Sequence, residues 1–590
     1  MALDNGKKYG SDIMAELISN LNIPFIALNP GASYRGLHDS LINHPDKNMP
    51  EIITCTHEEI SVDIAHGYAK ATGRPMAAAI HNVVGLQHAS MAIFNAWCAR
   101  VPMLLYGGTG PMNVEERRPW IDWIHTALVQ GNLIRDFVKW DDQPATLNSL
   151  EDSIYRAYRL AVTEPAGPTY VCFDSGLQEQ VLPDNHKPVE PFDESRYVPD
   201  SPGANPSSLE QLAEALITAE WPVILVDHTG RSDESFRLLS ELSEEWAIPV
   251  LDLNGYFNMS TTHPMNLTGD NHNVLEKADV ILALDVRDIF GTVSKIDRVT
   301  RKTESVLRDD VRVFSMGLQD YSVRSWAADY QKLFPTEKTI LADTKTALPL
   351  LKKIIAEKNQ TVNNGTITIE DRFGQVKEWH DRLRAEWLNT AEEQKQKSPI
   401  TASAFALELW NAIKDEDFMV ANGGLSGWVN RIFDIKEPRQ SLGVSWAGGG
   451  IGCGIGMTIG ACLAHRGTDK LIVDIQSDGD LLFTSGGLWT LAHHELPALI
   501  VMFNNRSYYN SEEHQINIAR HRNRDVSRTV IGTRIENPNV NFAKMAETFG
   551  IHGIGPIERI EDLGPTIREA IEIIKRDKVP VLIDVVTQAK

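Results

Sequence analysis

Two oxygen-bearing side chains in the last third of the chain have the types and spacing for a hard metal ion. Residues 471–475 read as a buried strand, followed by Ser477-Asp478-Gly479-Asp480 and a helix through Leu488 to His494. A second apolar strand, 498–503, then ends in Asn504-Asn505. A β-α-β unit of this kind sets its two strands side by side and parallel. Asp478 and Asn505 then both emerge at the carboxyl edge, where open sheets bind ligands. A carboxylate with an amide oxygen suits magnesium, which takes few protein ligands and fills its shell with phosphate and water. Helix amides after Gly479 would face the phosphates.

A second candidate lies near the amino terminus. Residues 56–70 read as a helix, with Thr56 as N-cap and Glu59 three positions on completing a capping box. Glu58 shares a helical face with Ser61, Val62, Ala65 and Ala69, whereas Glu59 shares one with Asp63, His66 and Lys70. Glu58 is therefore expected to point into an apolar layer. A buried carboxylate is costly without a partner, so the position invites a donor from a ligand.

Other patterns carry less. Gly448-Gly449-Gly450 suits a tight turn, and Gly450-x-Gly452 begins a dinucleotide fingerprint, but no acidic ribose partner follows in a β-α-β context. His493 and His494 are adjacent on a helix and point apart, which favours packing over a joint metal site. Arg520, Arg522, Arg524, Arg528 and Arg534 cluster after the metal turn. They either grip a carboxylate, phosphate or CoA group, with Asp525 able to neutralise Arg524, or form a solvated or subunit-interface loop.

The elements that must position these groups follow an α/β pattern. Short apolar runs at 24–28, 222–226 and 280–285 alternate with helical periodicity, as in parallel sheets covered by helices. At 590 residues the chain exceeds a single core, and composition loosens around 183–206 and 357–364. Three doubly wound parallel-sheet domains are expected, at 1–185, 200–355 and 370–590. With 57 Lys plus Arg against 79 Asp plus Glu, the net charge of -22 disfavours nucleic acid and anionic membranes. The uncharged stretch 441–464, with Gly452, Gly456 and Gly460 at four-residue spacing, is read as a turn entering a buried helix and not as a membrane span. The start lacks the apolar core of a signal peptide, and the five cysteines form no close-spaced pairs. The expectation is a reducing cytoplasm, without disulfides or a zinc knuckle.

Asp478-Gly479 followed after about two dozen residues by Asn504-Asn505 resembles the cofactor signature of thiamine diphosphate enzymes. The similarity to the thiamine-dependent decarboxylase and acetolactate synthase superfamily runs from Asn29-Pro30-Gly31 to 580–584. The first domain is most similar to benzoylformate decarboxylase, through Ile80-His81, Gly85 and Asn95-Ala96-Trp97. The resemblance implies pyrimidine-binding, central and diphosphate-binding domains. It implies magnesium held by Asp478, the Asn505 side chain and the Ser507 carbonyl, with the backbone after Gly479 at the diphosphate. Leu425 and Ser426 of Asn422-Gly-Gly-Leu-Ser426 would lie on the diphosphate side. Ile451 would prop the thiazolium ring, and the Gly449 carbonyl would accept from the 4′-amino group. Glu58, nine residues before Gly67 of Gly-Tyr-Ala, would meet N1′ of the aminopyrimidine, and His81 falls on a proton-transfer histidine. Three positions depart from the pattern: Ser477 replaces a glycine, Asp480 a small or hydroxylic residue, and Ala32 the serine after Asn-Pro-Gly.

The implied activity is cleavage or formation of a carbon–carbon bond beside a carbonyl, foremost by a 2-oxo acid decarboxylase or carboligase. An acetolactate-synthase-like transferase or a 2-hydroxyacyl-CoA lyase is the close alternative. A non-catalytic scaffold, an alternative of another class, is disfavoured by Glu58, Asp478 and Asn505. The implied partners are a small 2-oxo acid or acyl substrate and further copies of the chain, a dimer at least and by family habit a tetramer. The central domain has no flavin or nucleotide fingerprint, and none is expected there.

Overall fold

Parallel strands whose two faces are both covered need apolar residues at every position. The runs Pro222–Val226, Val280–Leu284 and Leu499–Asn504 are buried along their whole length. The computed structural model describes residues 7–45, 48–183, 185–321, 332–359, 368–445 and 447–588. These form three parallel sheets with crossover helices, the α/β class expected.

The chain divides into two compact units. The first, residues 1–200, 445–466 and 484–494, holds a six-stranded sheet of order β2-β1-β3-β4-β6-β5. Its strands are β1 Phe25–Leu28, β2 Glu51–Thr54, β3 Met76–Ile80, β4 Met103–Thr109, β5 Trp140–Asp142 and β6 Pro168–Asp174. The second unit holds two five-stranded sheets. One has the order β13-β12-β9-β7-β8, from β7 Pro222–Val226, β8 Val250–Asp252, β9 Val280–Leu284, β12 Arg312–Gly317 and β13 Lys338–Leu341, and carries an antiparallel hairpin of β10 Ser294–Ile296 and β11 Thr303–Ser305. The other has the order β14-β15-β16-β18-β17, from β14 Phe418–Asn422, β15 Leu471–Ser477, β16 Leu499–Asn504, β17 His552–Ile557 and β18 Val581–Val586.

Residues 185–205 carry one short helix, Glu194–Tyr197, before Asn205 caps a helix that opens on Pro206. At the second expected linker the helix Thr344–Asn359 continues through 357–359, and residues 360–364 lie outside the described residues.

The helix Glu58–Thr72 departs from its expected start. His57, not Thr56, is the N-cap: its ring accepts the Glu59 N–H at 3.2 Å, so the capping box is not formed. Gly73, at φ +73°, closes the other end. Glu58 is buried and Glu59 half-buried, as the facing argument requires. Farther along, however, Asp63, His66 and Lys70 are buried as well. The cause is the helix Gly454–Ala464, which lies against this one within the first unit. A Cβ on Gly460 would stand 2.2 Å from the Ile64 carbonyl oxygen and 2.4 Å from the Tyr68 nitrogen, and one on Gly456 2.4 Å from the Asp63 Cβ. The small residues of 441–464 thus serve a close helix pair inside the protein. Among the described residues no helix is long and apolar enough to cross a membrane.

Gly460→Val would force this pair apart, and the expected cost is about 3 kcal/mol or more, read as a lowered urea midpoint. Gly374, inside the helix Ile369–Gln394, has nothing within 4 Å of an added Cβ. Gly374→Ala should stabilise the fold by about 0.5–1 kcal/mol, read as a raised midpoint.

Candidate functional site

β15 and β16 pair in parallel with Ser477 opposite Phe503, so the residues after them leave the sheet at the same edge. The Ser507 N–H donates to Asn505 Oδ1 at 2.9 Å and to Asp478 Oδ2 at 3.3 Å. Two side-chain oxygens 27 positions apart in sequence therefore converge on one amide. Asp478 Oδ1 accepts the Gly479 N–H at 2.8 Å. Burial pushes the Asp478 carboxyl up to about 6, against backbone N–H donors from Gly479, Arg506 and Ser507 that pull it down. A Cβ on Gly479 would stand 2.5 Å from the Tyr508 ring, so only glycine lets the backbone run this close.

The turn is braced from behind. Ser507 Oγ donates to Glu512 Oε2 at 2.6 Å, and Arg534 pairs with Glu512 Oε1 at 2.8 Å. Asp480 points to Gln476, whose Nε2 donates to it at 2.6 Å, and Asn422 joins the same buried network through Asp474 and Gln476. A carboxylate, an amide oxygen and nearby backbone carbonyls form a hard oxygen donor set. A cation would offset the burial that raises the Asp478 carboxyl and stabilise its ionised form, so these residues fit magnesium. In the same unit Leu425, Ser426 and Gly427 take φ of 38°, 50° and 85°, three successive left-handed residues after β14. Strain of this kind is held only where the surroundings over-determine it.

The first unit gathers the other candidates. Glu58, 4 % exposed, accepts a hydrogen bond from Asn29 and meets His88 Nδ1 at 3.1 Å. Burial alone pushes its carboxyl up, but the bonds from Asn29 and His88 outweigh that and hold it below the ordinary glutamate range. The His57 ring stacks on His88 at 4.8 Å. A Cβ on Gly85 would fall 2.6 Å from Glu58 Oε1 and 2.8 Å from the His81 Cβ, so this glycine marks the corner the two residues share. His81 Nδ1 lies 2.9 Å from Ser33 Oγ, and the His125 ring stands 5.9 Å away. Burial first, then the neighbouring His125, lowers the His81 imidazole below its ordinary value.

The glycine turn also belongs to this unit. Gly449 has φ +83°, and Asn95 clasps the turn by accepting the Gly448 N–H and donating to the Gly450 carbonyl, both at 3.0 Å. Ile451 stands exposed beside it. His494 accepts the Thr54 N–H at 2.9 Å and His493 stacks on Trp489, so the paired histidines serve packing.

Thus Glu58, His81, Gly449 and Ile451 lie in the first unit, and Leu425, Ser426, Asp478, Gly479, Asn505 and Ser507 in the second. Sequence reasoning missed Asn29 and His88 as partners of Glu58, His125, and Ser33, which carries the hydroxyl one position beyond Ala32. Only Asn29 had a signal, as part of Asn29-Pro30-Gly31.

Residues 8–129 match the N-terminal TPP binding domain of thiamine pyrophosphate enzymes, and residues 421–585 match their C-terminal TPP binding domain. The chain thus carries both TPP binding domains of these enzymes, which support thiamine diphosphate as its cofactor. It is similar to acetolactate synthase 3, chloroplastic, of Brassica napus, at 23% identity over 98% of this chain and 83% of that one. Its fold is shared with the thiamine diphosphate-dependent 4-hydroxybenzoylformate decarboxylase of Rhodococcus jostii RHA1, at TM-score 0.75, 18% identity and coverage of 98% and 99%. It is shared equally with benzoylformate decarboxylase from Polynucleobacter necessarius, at TM-score 0.72, 17% identity and coverage of 98% and 99%.

Asn95→Ala removes both bonds across the glycine turn. The expected result is a loss of about 1–3 kcal/mol in denaturation, with amide exchange at 448–450 accelerated over the rest of the unit.

Proposed function

We propose that the protein is a 2-oxo acid decarboxylase or carboligase that binds thiamine diphosphate through magnesium. The observation that carries this reading is the convergence of Asp478 and Asn505 on the Ser507 amide, in a chain whose Glu58 is a buried, ionised carboxylate. Bound thiamine diphosphate supplies a nucleophilic carbon and an electron sink for the bond broken beside a carbonyl. Asp478, Asn505 and the Ser507 carbonyl hold the metal and so neutralise the diphosphate. The backbone at Leu425, Ser426 and Gly479 receives the phosphate oxygens. The Gly449 carbonyl and Ile451 orient the two rings. Glu58 would share a proton with the aminopyrimidine N1′, giving it to the ring nitrogen and taking it back, with Asn29 and His88 holding the carboxyl in place. His81, kept neutral by burial and bonded to Ser33, exchanges a proton with the substrate.

In this reading 1–185 is the pyrimidine side, 370–590 the diphosphate side and 200–355 the central domain. Two copies of the chain complete each site, in a dimer or tetramer. All five cysteines are buried, and a reducing, cytoplasmic location is part of this reading. The coverage of acetolactate synthases keeps a transferase on the same cofactor as the second reading.

Incubation of the cofactor-loaded protein with a panel of 2-oxo acids, aldehydes and 2-hydroxyacyl-CoAs, read by carbon dioxide release and product mass, tests the assignment. Carbon dioxide from a 2-oxo acid is expected, and turnover of acyl-CoAs alone would overturn it. Glu58→Gln should keep magnesium-dependent cofactor binding while turnover falls by about two orders of magnitude or more, with Glu59→Gln mild. Equal losses in the two variants would remove Glu58 from its role. Asp478→Ala should abolish cofactor retention in calorimetry, leaving no residual activity.

A further inference from the structure

In the second unit a cavity of about 570 Å³ lies between the carboxyl end of β8, the loop 266–273 and the helices Ile369–Gln394 and Trp428–Ile432. On its wall the Arg431 guanidinium lies 5.1 Å from the centre of the Trp428 ring and 5.8 Å from that of Trp387. No carboxylate pairs with Arg431 among the described residues. The acids around it are engaged elsewhere: Asp434 by Arg384, Asp252 by Asn254 and Asn258, and Asp270 by Trp379 and Asn273. A partly buried cation with aromatic neighbours and no counter-ion is an incomplete arrangement, because indole faces replace only part of the lost hydration.

We propose that this cavity binds a small organic carboxylate, with Arg431 as its anchor. With indole rings against the guanidinium, its N–H edge is what remains for a ligand, and that edge pairs a carboxylate through two parallel hydrogen bonds. A phosphate fits less well. Asp270 lines the same cavity with Asp252, whose carboxyl burial pushes up to about 7, and with Lys295, which Glu276 neutralises, so a second negative charge on the ligand finds no unpaired cation there among the described residues. The neutral side chains of Asn266 and Asn430 offer hydrogen bonds to the rest of the molecule, and the Trp387 ring offers it apolar contact. None of the residues assigned to thiamine diphosphate or magnesium lines this cavity, so the ligand is an effector and not the substrate. Gly427 lines it directly, and the left-handed residues Leu425 and Ser426 precede Gly427, so an occupied cavity would bear on that loop.

Calorimetry of the full chain with benzoate, butyrate, inorganic phosphate and adenosine monophosphate tests this. Benzoate or butyrate should bind at one site per chain, with the two phosphates weaker by about tenfold or more. Arg431→Gln should weaken carboxylate binding by about tenfold or more, and Arg431→Lys, which keeps the charge but not the fork, by less. Asp478→Ala should bind the carboxylate as the unaltered protein does, which separates this site from the cofactor site whatever the fate of the cofactor assignment. Absence of carboxylate binding, equal or tighter binding of phosphate, or an Arg431→Gln variant that folds by circular dichroism and binds unchanged would each overturn the proposal. Should Arg431→Gln fail to fold, the carboxylate preference and the Arg431→Lys affinity decide.

Discussion

A carboxyl group withdrawn from water and offered only backbone amides sets the terms for the third sheet. Asp478 is 1 % exposed, and its donors are the amides of Gly479, Arg506 and Ser507. Three amides do not fully offset the desolvation of a full charge, so the carboxyl stays above its ordinary value and a cation would stabilise its ionised form. Much of the surrounding sequence follows from that need. The parallel register of β15 and β16 brings Asn505 to the same place, and Gly479 removes the Cβ that would strike Tyr508. Glu512 and Arg534 form an ion pair whose geometry fixes Ser507, the residue whose amide both oxygens share.

Glu58 solves the opposite problem with different chemistry. It is nearly as buried, yet its donors are side chains, Asn29 and His88, and they overcome the desolvation that opposes ionisation. The two carboxyl groups therefore act oppositely on stability. Glu58, held below its ordinary value, contributes stability present at neutral pH and lost as pH falls through its folded value. Asp478, raised from 3.8 to about 6, binds its proton more tightly in the folded state, so without a cation it favours folding at low pH and that contribution is lost as pH rises across this interval. One acid has its charge stabilised by neighbouring side chains, and the other carries a charge that a cation would stabilise.

The fold was legible because parallel strands announce themselves as short apolar runs, and the strand-end positions of Asp478 and Asn505 follow from β-α-β connectivity alone. The burial of Glu58 was legible from helical periodicity. Periodicity failed along the rest of that helix: Asp63, His66 and Lys70 read as a polar face and are buried, because Gly456 and Gly460 let a second helix approach from a distant part of the chain. Capping failed for a local reason, since an imidazole can accept an amide as a hydroxyl can, and His57 stands one position after Thr56. Ser33, His88 and His125 were invisible because each reaches its partner through tertiary folding, 30 to 48 positions away along the chain for His88 and Ser33.

The arginine segment shows why a charge run has no single meaning. Arg534 lies in the same run as Arg520, Arg522, Arg524 and Arg528, but it alone among them is tied inward, to the glutamate that holds Ser507. The other four are exposed and make no ion pair among the described residues, and Asp525 accepts from Ser527 in place of Arg524. Exposed guanidinium groups gain little from exposed partners, whereas one bonded to a buried carboxylate such as Glu512 is costly to remove. Position relative to a buried acid, and not density of charge along the chain, separates the arginine that shapes the site from those that face solvent. The same criterion sets Arg431 apart from both groups: it is partly buried and pairs with no carboxylate among the described residues.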